Sequence, residues 1–283
     1  MGRFVAAALA DIAADPAILI ALAPWLPADA RSALEATGYF KSVSSSPAAP
    51  PAPRASGRMT AAGTDFILLQ GGPYALGQMR GELASFGLAA SEATVAEFAR
   101  FLAEHPEWNA AARDSLVAGG LVDDGYLSGF DEANGNEPVR YVSRAAALAY
   151  CRWLSDRAPS GYRFTLPSEA QWSYAAAAGL PRSGILLEPG RSGPVPVTAL
   201  VPDTVGFKGL LGNVWEWCAD SFAIQPAAGV IGRESFPSAE GVVRGGSWAN
   251  QPGIVDLSSR GPMLASTSSA FLGFRVALVH VTD

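Results

Sequence analysis

The spacing of apolar residues divides the chain into helices first and strands later. Residues 1–41 read as two helical segments separated by Pro24 and Pro27, and the SVSSSPAAPPAPRASG that follows has no apolar period. Its Ser, Pro and Ala content predicts an extended, semi-rigid linker over 42–60, ahead of a folded domain over 61–283. DFILLQGG is a short apolar run ended by glycines, hence a strand. SFGLAASEATVAEFARFLAEH adds a brief strand and then a helix. Thr94 and Glu97 have capping-box spacing, and Val95, Phe98, Phe101 and Leu102 share one face. VSRAAALAYCRWLSD predicts a second helix, N-capped by Ser143, with Leu148, Cys151 and Leu154 on its buried stripe. LPSEAQWSYAAAAG predicts a third, with Ser168 and Gln171 as its capping box and Gly179 at its C-terminal cap. Beyond residue 180 short apolar runs alternate with glycine-rich turns. Helices followed by strands, rather than alternating βαβ units, predict an α+β fold.

Composition narrows the function classes. The chain has 283 residues, a net charge of −6 and only 16% charged residues. That balance excludes the basic footprint of a non-specific nucleic-acid binder and gives no support to an anionic membrane contact. Thirty glycines and 21 prolines point to a loop-rich fold rather than a helical bundle. The most apolar stretch, MGRFVAAALADIAADPAILIALAPWL, is interrupted by Asp11, Asp15 and Pro16. It is too broken for a membrane span or a convincing signal peptide, so a soluble chain is expected.

Candidate chemistry is sparse. Cys151 and Cys218 make no disulfide framework, and Cys151 reads as a buried core thiol. His105 reads as a solvated helix end and His280 as a strand position; the two have no metal-ligand spacing. Asp123, Asp124, Asp131, Glu132 and Glu137 crowd the turn-rich stretch 119–138. They match no calcium-loop spacing and read as a solvated acidic loop. In GLLGNVWEWCAD, Glu216 stands between Trp215 and Trp217. It is a buried acid with a chemical role, a metal ligand, or one face of an alternating strand.

Seven segments occur in the order of one known family: GGPYALG, EATVAEFARFL, YVSRAAALAYCRWLS, LPSEAQWSYAAAAG, GLLGNVWEWCAD, VVRGGSW and GFRVAL. From about Asp65 to His280 the chain resembles the formylglycine-generating enzyme (sulfatase-modifying factor) superfamily. The resemblance implies a variant of the C-type lectin fold, with little regular structure beyond a few helices and short antiparallel strands. Superfamily functions diverge, so each implied site is read residue by residue. The formylglycine generators hold copper(I) on two cysteines after the GGS[FW] motif, because copper(I) favours soft thiolates. Asn250 and Val255 stand at those positions here. The related sulfoxide synthases need an iron-binding histidine cluster, which two separated histidines do not supply. Family calcium near the WEW segment would draw on the Glu216 carboxylate and the Gly212 and Val214 carbonyls. Gly209 stands where a further side-chain ligand is expected, so one weakened calcium site is implied.

What remains points to binding. Asn213 is expected to hydrogen-bond backbone in its turn. Arg244 and Arg275 are expected to hold charge-assisted bonds to Glu216 or other acids. The family builds its site between GGSW and GFR, here residues 249–272. Trp248, Asn250, Asp256, Arg260, Ser266, Thr267 and Ser268 are the candidate ligand-binding residues. The expected role is non-catalytic binding of a protein, peptide or small molecule, with residues 1–41 available for partner contact. The alternatives are a maturation oxidoreductase of uncharacterised chemistry and an assembly subunit.

Overall fold

The computed structural model describes residues 52–77, 79–179, 192–222, 240–251 and 253–281. The helical segments and partner contact expected over 1–41 lie outside these residues, as does most of the expected linker. Its last residues do not: strand β1, Ala55–Ala61, begins within 42–60 and pairs antiparallel with β2, Thr64–Leu69. The domain therefore starts earlier than residue 61. β1 escapes an apolar reading because it is an edge strand with only Met59 and Ala61 turned inward.

A hairpin of β3, Gly72–Leu76, and β4, Met79–Leu83, leads into β5, Phe86–Ala89. Three helices follow: α1, Val95–Glu104; α2, Arg113–Ala118; and α3, Arg144–Ser155. Strand β6, Tyr162–Thr165, precedes helix α4, Glu169–Ala178. The second half supplies β7, Trp215–Ser221; β8, Glu240–Arg244; β9, Arg260–Leu264; β10, Leu272–Gly273; and β11, Ala277–His280. One sheet has the order β1-β2-β5-β11-β6, so the last strand closes between two early ones. The other has the order β10-β7-β8-β9, with β10 parallel to β7.

Local chemistry explains the helix starts. The Thr94 hydroxyl accepts from the Glu97 amide at 3.2 Å, and Glu97 accepts from the Thr94 amide at 2.8 Å. Ser168 and Gln171 repeat the exchange at 3.1 and 2.8 Å, satisfying amides that a first turn leaves unpaired. Ser143 caps α3 as expected. Gly179 does follow α4, but its backbone is extended rather than left-handed. Its missing side chain makes room for the Asp203 carboxylate, into which a β-carbon would collide. Phe98, Phe101, Tyr150, Trp153 and Phe274 form an aromatic core on which α1 and α3 pack. A second core gathers Trp172, Tyr174, Phe207, Cys218 and Val242 around α4.

Candidate functional site

In β7, alternation sends Trp217 and Glu216 to opposite faces, and both faces are buried. Trp217 enters the aromatic core and donates its indole N–H to the Val142 carbonyl at 3.0 Å. Glu216 faces the second core, where Arg275 grips it through two nitrogens at 2.6 and 2.7 Å. The Trp172 indole N–H supplies a third donor at 2.7 Å. Neither charged partner has any exposed surface. Arg275 also donates to the Ala89 and Lys208 carbonyls, at 3.1 and 2.8 Å. Burial opposes the arginine's charge, but the Glu216 carboxylate outweighs it and raises the guanidinium pKa.

A second carboxylate, Glu92, joins this pair although nothing in its local sequence marks it. It is 1% exposed, accepts from Asn213 Nδ2 at 3.1 Å, and leaves its other oxygen without a partner. Burial is the largest cause of a pKa raised to about 7; Arg275 lowers it and Glu216 raises it further. Gly209 is required here, since a β-carbon at that position would run into the Glu92 carboxylate. Asn213 itself takes the left-handed backbone, φ 57°, and bonds the Val195 backbone in both directions at 2.9 and 3.3 Å.

These contacts occupy the carboxylate of the expected calcium set. Both Glu216 oxygens are taken by a guanidinium and an indole, and a cation beside them would have to displace Arg275. Gly212 and Val214 are buried, and the Gly212 amide donates to the Gly245 carbonyl at 2.9 Å. With both oxygens taken, the Glu216 carboxylate does not fit a bound calcium. The acidic loop is likewise structural. Asp123 accepts from the Gly125 and Ser268 amides, Asp131 from Ala133, and Glu137 pairs with Arg140 at 3.1 Å. Among the described residues no cluster of three His, Cys, Asp or Glu could hold a metal.

Arg244 chooses other partners than Glu216. It donates to the Leu257, Ser258 and Ser259 carbonyls and the Ser173 hydroxyl at 2.7–3.1 Å, and lies 3.8 Å from Glu169. The two glycines after it are both left-handed, φ 95° and 78°. A β-carbon at Gly245 would press on the Leu210 carbonyl and Trp172, and one at Gly246 on Val255. RGGSW is thus the corner that brings residues 247–259 back onto α4.

The candidate ligand residues are mostly tied to their own segment and its neighbours. Asn250 accepts from the Ser247 amide and hydroxyl at 2.8 and 3.2 Å. Asp256 accepts from the Ser258 hydroxyl and amide at 2.6 and 2.8 Å, and those bonds hold its pKa below the usual value. Arg260 forks onto Glu169 at 2.6 and 2.8 Å. Ser266 lends its carbonyl to the Ser268 hydroxyl, Thr267 its amide to Leu264, and the Ser268 amide goes to Asp123. These side chains and amides hold the segment together instead of pointing out of it. Ile254 and Leu264 face outward, 70% and 54% exposed, and so does an aromatic pair. Trp248 packs 5.1 Å from Phe271, which is 40% exposed, and the Phe271 carbonyl accepts from the amide of half-buried Trp215. Phe271 and Trp215 went unmarked in the sequence because each sits beside a motif that reads as scaffold.

The thiolate positions are filled by groups with other partners: Asn250 on Ser247, Val255 against Gly246. Cys151 and Cys218 are buried, and burial pushes the Cys218 thiol well above its ordinary pKa. Two clefts lie elsewhere. One of about 380 Å³ is lined by Arg58, Asp65, Glu97, Tyr150 and Lys208 among others. One of about 290 Å³ lies between His105, Trp108, Arg152 and Trp153. His105 is half-exposed and bonds Glu107 at 2.8 Å, and His280 stacks on Tyr162 at the end of β11. No helix among the described residues is long and apolar enough to cross a membrane.

Comparison with known proteins agrees with this arrangement. A sulfatase-modifying factor enzyme 1-like domain matches residues 52–279. The formylglycine-generating enzyme of Thermomonospora curvata is 30% identical over 176 residues, 50% of this chain and 55% of that protein. Hercynine oxygenase of Mycolicibacterium smegmatis is 30% identical over 282 residues, 80% of this chain and 63% of that protein. The chain spans about half the length of the formylglycine-generating enzymes it matches. The structure of PvdO from Pseudomonas aeruginosa superposes with a TM-score of 0.62 at 18% identity, covering 81% of this chain and 99% of that one. The match to residues 52–279 runs over most of the domain, and the chain belongs to the sulfatase-modifying factor enzyme 1-like family.

Proposed function

We propose that this domain is a non-catalytic binder that takes a protein or peptide on the aromatic face made by Trp248, Phe271 and Trp215. One observation carries the reading. The two positions after RGGSW where the formylglycine generators keep thiolates hold an asparagine spent on Ser247 and a valine packed on Gly246. An amide and an alkyl group are poor copper(I) ligands. The remaining thiols, Cys151 and Cys218, are buried in the two cores. An exposed Phe271 ring against Trp248, with half-buried Trp215 of β7 bonded to the Phe271 backbone, is the kind of surface that anchors protein ligands.

The alternative is an oxidoreductase of the same superfamily, favoured by the hercynine oxygenase match across 80% of this chain. Two measurements separate the readings. Oxygen uptake is followed after copper(I) or iron(II) addition, with a cysteine-containing peptide or a thiol as reductant. Binding is followed on a peptide array probed with the native protein and with Phe271→Ser. The proposal expects no substrate-dependent uptake, and array signals that Phe271→Ser abolishes. Multiple turnovers, or signals indifferent to Phe271, would overturn it.

A further inference from the structure

The larger cleft, about 380 Å³, lies apart from residues 249–272 and has the size of a small-molecule site. At it stands Tyr150, 1% exposed, its ring packed against Phe98, Phe101, Trp153 and Phe274 at centroid distances of 5.3–5.9 Å. Of the three buried tyrosines among the described residues, two spend their hydroxyls on carbonyls, Tyr126 on Trp108 and Tyr174 on Gly71. Tyr150 makes no such bond within the described residues, and it lines this cleft.

Lys208 borders the same cleft. The chain has two lysines, Lys41 and Lys208, against eighteen arginines, and Lys208 is half-buried. Its ammonium reaches the Val197 carbonyl at a long 3.4 Å, leaving two of three donors unspent. Arg58, also on the lining, donates to the Val205 carbonyl at 3.2 Å and keeps further N–H groups. Acceptors are present as well. Asp65 uses one oxygen on the Thr60 hydroxyl, and each Glu97 oxygen, already accepting from Thr64 or Thr94, belongs to an ionisable acceptor with several lone pairs. A plain anion would meet the carboxylates of Asp65, Glu97 and Glu92 along this lining; a plain cation would meet Lys208 and Arg58. A molecule carrying one charge of each sign satisfies both sets.

We propose that this cleft binds a small zwitterion of the free amino acid type, its carboxylate held by Lys208 and the Tyr150 hydroxyl and its ammonium by Asp65 and Glu97. The site is independent of the aromatic face. Isothermal titration calorimetry on the full chain tests it, first with each common free amino acid. For those that bind, the matched amide lacks the carboxylate and the matched des-amino acid lacks the ammonium; alanine, alaninamide and propionate form one such trio. The amino acid is expected to bind at least about tenfold more tightly than either counterpart. Tyr150→Phe should weaken binding by about tenfold without lowering the melting temperature of the unliganded protein, since it breaks no internal bond. Lys208→Met should weaken it comparably and serves as the second variant. Phe271→Ser should leave it unchanged. No heat from any amino acid, equal binding by the amide or the des-amino acid, or full affinity in both Tyr150→Phe and Lys208→Met would overturn the proposal. So would loss of binding in Phe271→Ser, which would place the ligand on the aromatic face.

Discussion

Glu216 owes its place between two tryptophans to a guanidinium on the far side of the strand. The WEW pattern made a buried acid legible, and GFR supplied a candidate cation. The choice of Arg275 over Arg244 was not legible, because it depends on which strand ends meet across the second core. Removing one partner strands the other charge in a dry site, so Arg275→Met should cost about 3–5 kcal/mol by chemical denaturation. Glu92 was unreadable, since a carboxylate in the loop between β5 and α1 has no local signature; only Gly209, the residue that seemed to be missing something, records its presence. Its pKa gives a signed prediction. Below the ordinary value of 4.5 the folded and unfolded chains both hold the proton, and Glu92 adds no pH dependence. Between 4.5 and about 7 the unfolded chain has released it and the folded chain keeps it, so stability falls as pH rises, levelling off above about 7. Glu92→Gln should remove that slope. Denaturation at both ends of this window should show the variant gaining about 3 kcal/mol on the native protein toward high pH. Parallel curves would mean that Glu92 is ionised throughout.

At the scale of elements, signals carried by near neighbours were readable and signals carried by distant ones were not. Both capping boxes stand at their predicted residues because four consecutive positions contain the whole interaction. Thr94→Ala should destabilise by about 1–2 kcal/mol, with amide exchange rising first in the turn after Thr94. β1 was read as linker because an exposed edge strand needs few apolar residues, and what fixes it is the ladder to β2. Gly179 was placed correctly for a different reason from the one that holds it. Its φ of −91° and ψ of 137° suit alanine, so backbone freedom is not what the position needs. Gly179→Ala should nonetheless lose about 1–3 kcal/mol, because Asp203 must move and its oxygen holds the Val205, Gly206 and Phe207 amides. A thermal melt unchanged from the native protein would show that Asp203 yields freely.

Across the whole domain, the segment between RGGSW and β9 is tied down with charge. Glu169 holds Arg260 in a fork and lies 3.8 Å from Arg244, while Arg244 collects the carbonyls of 257–259. Asn250, Asp256 and Arg260, candidate ligand residues in sequence, also bond within the loop and to α4, and sequence could not tell the two uses apart because both draw on polar side chains. Cys151 was easier to place, since helical spacing put it on a buried stripe, and β7 carries Cys218 into the other core. One thiol lies in each core, so together they report on the integrity of both. Cys218 is further disarmed by burial, which keeps its thiol protonated well above the usual range, and a thiol reagent needs the thiolate. In the folded protein at neutral pH neither cysteine should react with a disulfide reagent over the time in which the denatured chain titrates both. Labelling should accelerate with denaturant in step with global unfolding, at the same rate for each. If Cys218 reacted first, the sheet of β7 and β8 would be opening on its own, and the loop stapled to α4 would have to be treated as a moving part of the binding face.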